Sequence, residues 1–302
     1  MNLTAILLVT ISAGIHASWN FISKQEFPSS GFFLVANVFG SLLLSPIALL
    51  YATHYAGFPG SVWLLVLLTG FFQALYCAAL AAAYRSGDLS SAYPLARSSP
   101  VIVVTIVAFI LGKADTISLQ CGIGIVFVVT GCFFVPLKSF TDIHLHNYIC
   151  RACGFALLAA IGTAGYSIVD AESLALLREN VETGSGIVLI TLLYAFLEAI
   201  ATCLWLLLFV VSRKQGREQC LRVLHTRKRP AFLAGLGIYL TYTLVLIAMY
   251  LARNVSYVVG FRQLSIPIGV LMGVMFLKEP ISRPKALGVA TLVLGLVLIG
   301  TG

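Results

Sequence analysis

Five charged or titratable side chains stand inside apolar stretches of the sequence: His16, Arg97, Glu198, Arg262 and, near the end of its stretch, Asp170. Hydrocarbon makes an ionised group costly, by about 2.5–3.5 kcal/mol at a helix centre on the insertion scale. A residue kept there against that cost usually faces a bundle interior or a watery cavity, where it contacts something polar. A guanidinium stays charged at physiological pH and grips carboxylate or phosphate through paired hydrogen bonds, so Arg97 and Arg262 together favour an anionic or zwitterionic solute. Glu198, within Leu-Leu-Tyr-Ala-Phe-Leu-Glu-Ala-Ile-Ala, is a candidate to carry a proton in each cycle. His16 exchanges a proton near neutral pH and suits a solute contact or a gate. Against these stand blander roles: an ion pair between an arginine and Glu198, or an arginine snorkelling to the interface.

Polar and aromatic residues extend the pattern as stripes at helical spacing. Ser12, His16, Trp19, Asn20 and Ser23 form one; Thr163, Tyr166, Ser167 and Asp170 form another. Gln73, Tyr76 and Tyr84 make a third, and Tyr239, Tyr242, Thr243 and Tyr250 a fourth. Small hydroxyl residues are ordinary glue between membrane helices, and Tyr84 and Tyr250 also suit an interfacial belt. Trp19, Asn20 and the matched tyrosines, with Tyr93 beside Arg97, read as the wall of a wet interior.

The elements that must hold these residues are membrane helices. The chain of 302 residues is 60% hydrophobic and only 10% charged, with mean hydropathy +1.00, where soluble domains carry roughly a quarter charged residues. Apolar runs of about 20 residues, enough to cross the ~30 Å hydrocarbon core as helix, recur ten times. They lie near 3–23, 31–52, 61–83, 89–111, 118–136, 150–171, 186–211, 231–251, 256–277 and 285–301. The runs are continuous rather than alternating, which excludes a β-barrel pattern. The first run carries Ser12, His16 and Asn20 and lacks a basic leader, so it reads as a span rather than a signal peptide.

The net charge of +8 is an orientation signal rather than a nucleic-acid footprint. Loops after odd-numbered spans hold fourteen Lys and Arg residues and loops after even-numbered spans hold three, Lys113, Arg178 and Arg253. The positive-inside rule then puts the odd loops in the cytoplasm and both termini outside. Segment 213–229 alone supplies seven of the fourteen, and lipid headgroups or a partner are its other uses. Seven scattered cysteines, an odd number, give no disulfide framework. His144, His146, Cys150 and Cys153 are metal-ligand types, but too cramped for a zinc site. No phosphate-binding loop, zinc-protease or serine-hydrolase motif appears, so neither a metal, a cofactor nor an enzymatic activity is expected.

The sequence also repeats itself. Gln-Ala-Leu-Tyr76-Cys-Ala-Ala-Leu80-Ala-Ala82-Ala-Tyr84 aligns with Tyr-Leu-Thr-Tyr242-Thr-Leu-Val-Leu246-Ile-Ala248-Met-Tyr250 with four identities. Ser90 and Ser99 then meet Ser256 and Ser265, Pro100 meets Pro267 after a one-residue shift, and Gly124 and Gly131 match Gly288 and Gly295. More loosely, His16, Trp19 and Asn20 lie over Thr163, Tyr166 and Ser167. Each unit, 1–137 and 138–302, holds five spans, and an odd number forces the second copy to cross in the opposite sense. Inverted repeats of this kind are a plan of secondary transporters, with the site at mid-membrane beside interrupted helices. The interrupted pair here is span four, with Pro94 and Pro100, and span nine, with Gly260 and Pro267.

With those features in place the sequence resembles the EamA group of the drug/metabolite transporter superfamily. The resemblance rests on the two five-span halves, His16-Ala-Ser-Trp19-Asn20, Tyr93-Pro-Leu-Ala-Arg97-Ser-Ser-Pro100, and the stop Lys278-Glu279-Pro280. It departs from the family in having Lys113 where an acidic residue commonly closes span four, and in a charge bias opposite to the family's cytoplasmic termini.

The expectation is an all-α integral membrane protein of ten transmembrane helices in two inverted five-helix repeats. It would lie in the cell membrane, the inner membrane if bacterial, and move a small polar metabolite by alternating access, by proton coupling or exchange. His16, Trp19, Asn20, Tyr76, Tyr93, Arg97, Tyr239, Tyr242 and Arg262 are the expected substrate contacts. A homodimer is compatible with the sequence. A non-transporting scaffold or channel subunit, or a lipid-acting membrane enzyme, is the alternative.

Overall fold

The computed structural model describes residues 3–25, 29–86, 89–110, 112, 117–135, 137–142, 151–180, 186–252, 254–277 and 280–301. Among them every long element is a helix and no strand forms. In chain order the helices are α1 (Leu3–Gln25), α2 (Ser30–Leu50), α3 (Gly60–Arg85), α4 (Leu89–Ile110), α5 (Leu119–Phe134) and α6 (Arg151–Asn180). After them come α7 (Ile187–Val211), α8 (Lys214–Thr226), α9 (Lys228–Leu251), α10 (Val255–Phe261), α11 (Ser265–Leu277) and α12 (Arg283–Thr301). Eight stretches among the described residues are long and apolar enough to cross a membrane. Shorter apolar helices, Ser99–Ile110 and Leu119–Phe134, lie in α4 and α5.

The solvent preference is that of an all-α membrane protein. Leu3, Leu7 and Ile11 form an exposed apolar stripe on α1, and Leu287, Leu294 and Val297 do so on α12. Inside lie Asn37, Thr69, Ser167, Asp170, Glu198 and Gln263, all buried. Water would penalise that outer surface, whereas lipid accepts it.

Four departures from the sequence pattern are informative. The ninth apolar run is not one helix: α10 ends at Phe261, a 3₁₀ turn spans Arg262–Leu264, and α11 follows. Pro267, just inside α11, has no N–H to bond the carbonyl four residues back, which favours the break ahead of it. α4 is continuous through both Pro94 and Pro100. The basic segment after α7 is not a plain loop; it folds into α8, where Gly216, Gln219, Cys220 and Val223 form a less exposed stripe at i, i+3, i+4, i+7 spacing. α6 also continues nine residues beyond its apolar run, to Asn180.

Helices meet where side chains are smallest. α3 packs on α6 and α7, α9 on α1 and α2, α5 on α12, and α2 on α7. A Cβ on Gly162 of α6 would lie 2.8 Å from the Phe72 carbonyl of α3, and one on Gly237 of α9 2.7 Å from Trp19 Cβ of α1. The same closeness joins Gly70 to Ala201 and Gly235 to Ala36. On the α5–α12 seam, Gly124 faces the Gly295 carbonyl and Gly131 the Gly288 carbonyl. Without a hydrophobic drive between helices in lipid, such backbone approach and its dispersion energy hold the bundle. Side chains bridge two of these seams, Ser12 Oγ donating to the Thr241 carbonyl at 3.0 Å and Trp205 Nε1 to the Leu67 carbonyl at 3.0 Å.

The seam predicts a contrast within one helix. Gly131→Ala places its methyl 2.7 Å from Leu292 Cβ, whereas Gly122→Ala meets open space. Gly131→Ala should lose about 1–3 kcal/mol to overpacking, while Gly122→Ala should be neutral or gain up to about 1 kcal/mol of helix propensity. Thermal unfolding of the purified variants in detergent reads the difference; equal behaviour would refute the close seam.

Candidate functional site

Two buried apolar clusters fill the bundle. One contains Val66, Tyr166, Leu174, Tyr194, Tyr242 and Leu246; the other contains Trp19, Phe33, Ala74, Cys77, Leu206 and Ala234. Between them lies a cavity lined from both, by His16, Trp19, Phe33, Asn37, Gln73, Tyr76, Cys77, Tyr166, Ile238, Tyr239, Thr241, Tyr242 and Arg262. Its volume is about 50 Å³, room for a few water molecules.

α1 brings His16 and Trp19 to this wall with their rings edge to face, centroids 5.0 Å apart. α9 brings Tyr239, Thr241 and Tyr242. Tyr239 donates from its hydroxyl to Asn37 Oδ1 at 2.6 Å, while Asn37 Nδ2 donates to the Phe33 carbonyl at 2.7 Å. Its ring fills the place a side chain on Gly40 would need: a Cβ there would come within 1.8 Å of it. α6 brings Tyr166, whose ring meets Tyr242 edge to face at 5.2 Å.

Arg262 enters from the break between α10 and α11. Its guanidinium carbon stands 5.3 Å from the centre of the Tyr242 ring and 5.9 Å from that of Tyr166, within cation–π range of both. Nη2 donates to the Tyr166 hydroxyl at 3.3 Å. Nη1 is buried and, among the described residues, has no hydrogen-bond partner. Two more polar groups of the cavity wall share that condition, Trp19 Nε1 and Thr241 Oγ1. Buried polar atoms are nearly always satisfied. An indole N–H, a hydroxyl and a guanidinium left open at one cavity form a wall rich in donors, fitted to an acceptor-rich solute.

Behind Tyr242 lies a second polar centre. Asp170 of α6 is fully buried. Its Oδ1 accepts from Thr69 Oγ1 of α3 at 2.6 Å and from the Tyr194 hydroxyl of α7 at 2.7 Å; its Oδ2 accepts from the Tyr242 hydroxyl. Glu198 of α7 is also buried, its Oε1 without a hydrogen-bond partner. Both carboxyls lie within electrostatic reach of Arg262 and of each other.

Of the residues expected from sequence to touch a solute, His16, Trp19, Tyr76, Tyr239, Tyr242 and Arg262 line one cavity. Asn20 is not on that lining; its Nδ2 donates to the His16 carbonyl at 3.1 Å. Tyr93 and Arg97 sit on the backbone of α4, and their side chains lie outside the described residues. Glu198 stands apart from the lining. The sequence pattern passed over Asn37, Gly40, Thr69 and Tyr194, and marked Asp170 as a charge near a span end and a member of a polar stripe without giving it a role. His144, His146 and Cys150 lie outside the described residues. Among those described, no group of three or more His, Cys, Asp or Glu is placed to hold a metal.

No protein-family model and no curated protein matches the sequence. Among solved structures, a crystal structure described only as that of a protein superposes with a TM-score of 0.67 and 16% sequence identity. The match covers 99% of this chain and 96% of the other. At that identity the likeness is one of fold.

Proposed function

We propose that this chain is a secondary transporter of a small anionic or zwitterionic metabolite, working by alternating access in a cell membrane. The observation that carries the reading is the buried, open Nη1 of half-buried Arg262, beside the open Trp19 Nε1 and Thr241 Oγ1, on the wall of a cavity inside an apolar helical bundle. A scaffold has no use for a guanidinium kept unsatisfied in oil. In this reading Arg262, with Arg97 from α4, holds the anionic group. Trp19, Tyr76, Tyr93, Tyr239 and Tyr242 wall the chamber, and His16 and Asn20 contact the solute or gate it. Glu198 is the candidate for proton coupling that its sequence setting suggests.

The packing supports ten spans in two inverted repeats, 1–137 and 138–302, and with them the EamA resemblance. Exchange α1 with α6, α2 with α7, α3 with α9, α4 with α10–α11 and α5 with α12. The α3–α6 contact then becomes α9–α1, and α3–α7 becomes α9–α2, while α5–α12 and α2–α7 map onto themselves. Each of those contacts is present, as a two-fold relation between halves requires. Rocking of one half against the other around the cavity would expose it to either side in turn.

Benzoate, with one carboxylate and one ring, is a fitting probe for an arginine among aromatic walls. It should raise the unfolding temperature of the purified protein, since a ligand of the folded state adds stability as its concentration exceeds Kd. Benzamide, neutral and of the same shape, should not. Arg262→Ala should weaken the effect by about ten- to a hundred-fold, the worth of a hydrogen bond to a charged group. Equal stabilisation by benzoate and benzamide, or an undiminished effect in Arg262→Ala, would remove the anion site.

Orientation follows from the charge bias. A reporter active only outside the cytoplasm, fused after Gly302, should be active. A silent fusion at normal expression would reverse the orientation.

A further inference from the structure

Asp170 has no task in the binding reading, yet it accepts three side-chain hydrogen bonds inside the bundle. We propose that Asp170 is a proton-binding site coupled to the cavity: an anion that binds Arg262 removes the counter-charge of Asp170, which then takes up one proton. The proposal rests on the anion-site reading and deepens it.

The geometry supplies each step. Tyr242 belongs to both centres, its ring beneath the guanidinium of Arg262 and its hydroxyl on Asp170 Oδ2. With three hydroxyl donors on two oxygens, Asp170 is arranged as an acceptor, the role of a carboxylate. Its negative charge and the positive charge of Arg262 oppose each other within electrostatic reach. An anion seated on Nη1 adds one negative charge to an enclosure walled by oil, where an uncompensated charge is costly. A proton arriving from bulk as hydronium through the cavity, its O–H bond broken and neutral water left behind as the Oδ2–H bond forms and the Tyr242 hydroxyl turns to accept from it, restores the original net charge. No other bond is made or broken. Solute and proton therefore move together, and the occluded centre carries the same charge loaded as empty.

The groups facing Asp170 are few. Thr69 comes from α3, Tyr194 and Glu198 from α7, Tyr242 from α9, and Arg262 from the turn after α10. Tyr257 of α10 is turned to Ser118. The described side chains of α4, Ser99–Ile110, include no charged or titratable group; Arg97 of its first half is not among them. Glu198, the proton-coupling candidate named from its sequence setting, is the alternative to Asp170 for this role: among the described residues its Oε1 is buried with no hydrogen-bond partner, whereas Asp170 holds the Tyr242 hydroxyl of the cavity wall.

The experiment uses the purified full-length protein in weakly buffered detergent with a pH-indicator dye and benzoate as the probe. Wild type should take up about one proton per benzoate bound, and its affinity should fall towards tenfold per pH unit above the titration. Asp170→Asn should bind benzoate without proton uptake and with an affinity indifferent to pH. Should that variant not fold, Tyr194→Phe keeps the carboxylate and removes one donor. It should keep the one-proton stoichiometry and move the pH of half-maximal uptake. Benzoate bound by wild type with no proton uptake, uptake surviving in Asp170→Asn, uptake lost only in Glu198→Gln, or an unmoved midpoint in Tyr194→Phe would each overturn the proposal while leaving the anion site standing. Failure of wild type to bind benzoate at any pH would overturn both.

Discussion

A charge inside this bundle has no bulk water to fall back on, and the arrangement of the centre answers to that constraint. Arg262 is not neutralised by direct contact with a carboxylate. It rests on two tyrosine faces, and the hydroxyl of one of them reaches Asp170. A direct buried ion pair would satisfy both charges and leave little for a solute to gain, because breaking such a pair costs about 3–5 kcal/mol. Tyrosines between the charges keep each partly satisfied. The guanidinium stays electrostatically tolerable and still has a free edge toward the cavity.

That arrangement needs helices from across the chain held at fixed heights. Asp170 gathers hydroxyls from α3, α7 and α9, so a rotation of any one of these helices would withdraw a donor. Close backbone approach at Gly162 and Gly70 fixes α3 against α6 and α7, and Gly235 and Gly237 fix α9 against α2 and α1. The glycines and the polar centre are thus two parts of one device. Small residues let backbones come near, and nearness lets short hydroxyl side chains reach one carboxylate.

Much of this was legible in the sequence because charge in oil is rare and because the pattern occurs twice. Arg262 stood out on the first count, Tyr76 and Tyr242 on the second. Asp170 was visible as a charge but not as a centre, since nothing in the spacing of Thr69 or Tyr194 distinguishes a donor from ordinary helix glue. Their meeting depends on helix crossings that span 101 and 24 residues of sequence. Asn37 was silent for the same reason: a lone amide in an apolar run, its partner Tyr239 lies 202 residues away. α8 was hidden by composition. Its burial stripe is carried by Gly216, Gln219, Cys220 and Val223, of which hydropathy registers little, while the arginines around it look like a loop.

The break after Phe261 explains why Arg262, of all positions in that span, can serve the cavity. In an unbroken helix the backbone would carry its side chain at a fixed angle to those of Val258 and Ser265. Here a 3₁₀ turn occupies Arg262–Leu264, and the Arg262 carbonyl accepts from Ser265 Oγ at 3.1 Å. The carbonyl freed by Pro267, that of Gln263, is reached by the Ser265 N–H at the end of the turn, so the backbone is satisfied locally, as the absence of water requires. A turn of this kind deforms at lower cost than the helices on either side of it, because its hydrogen bonds are fewer and poorer. Movement of α11 against α10 would act first on Arg262, and through Tyr242 on Asp170. The same short segment therefore joins the proposed solute contact, the buried carboxylate and a break at which the bundle can bend.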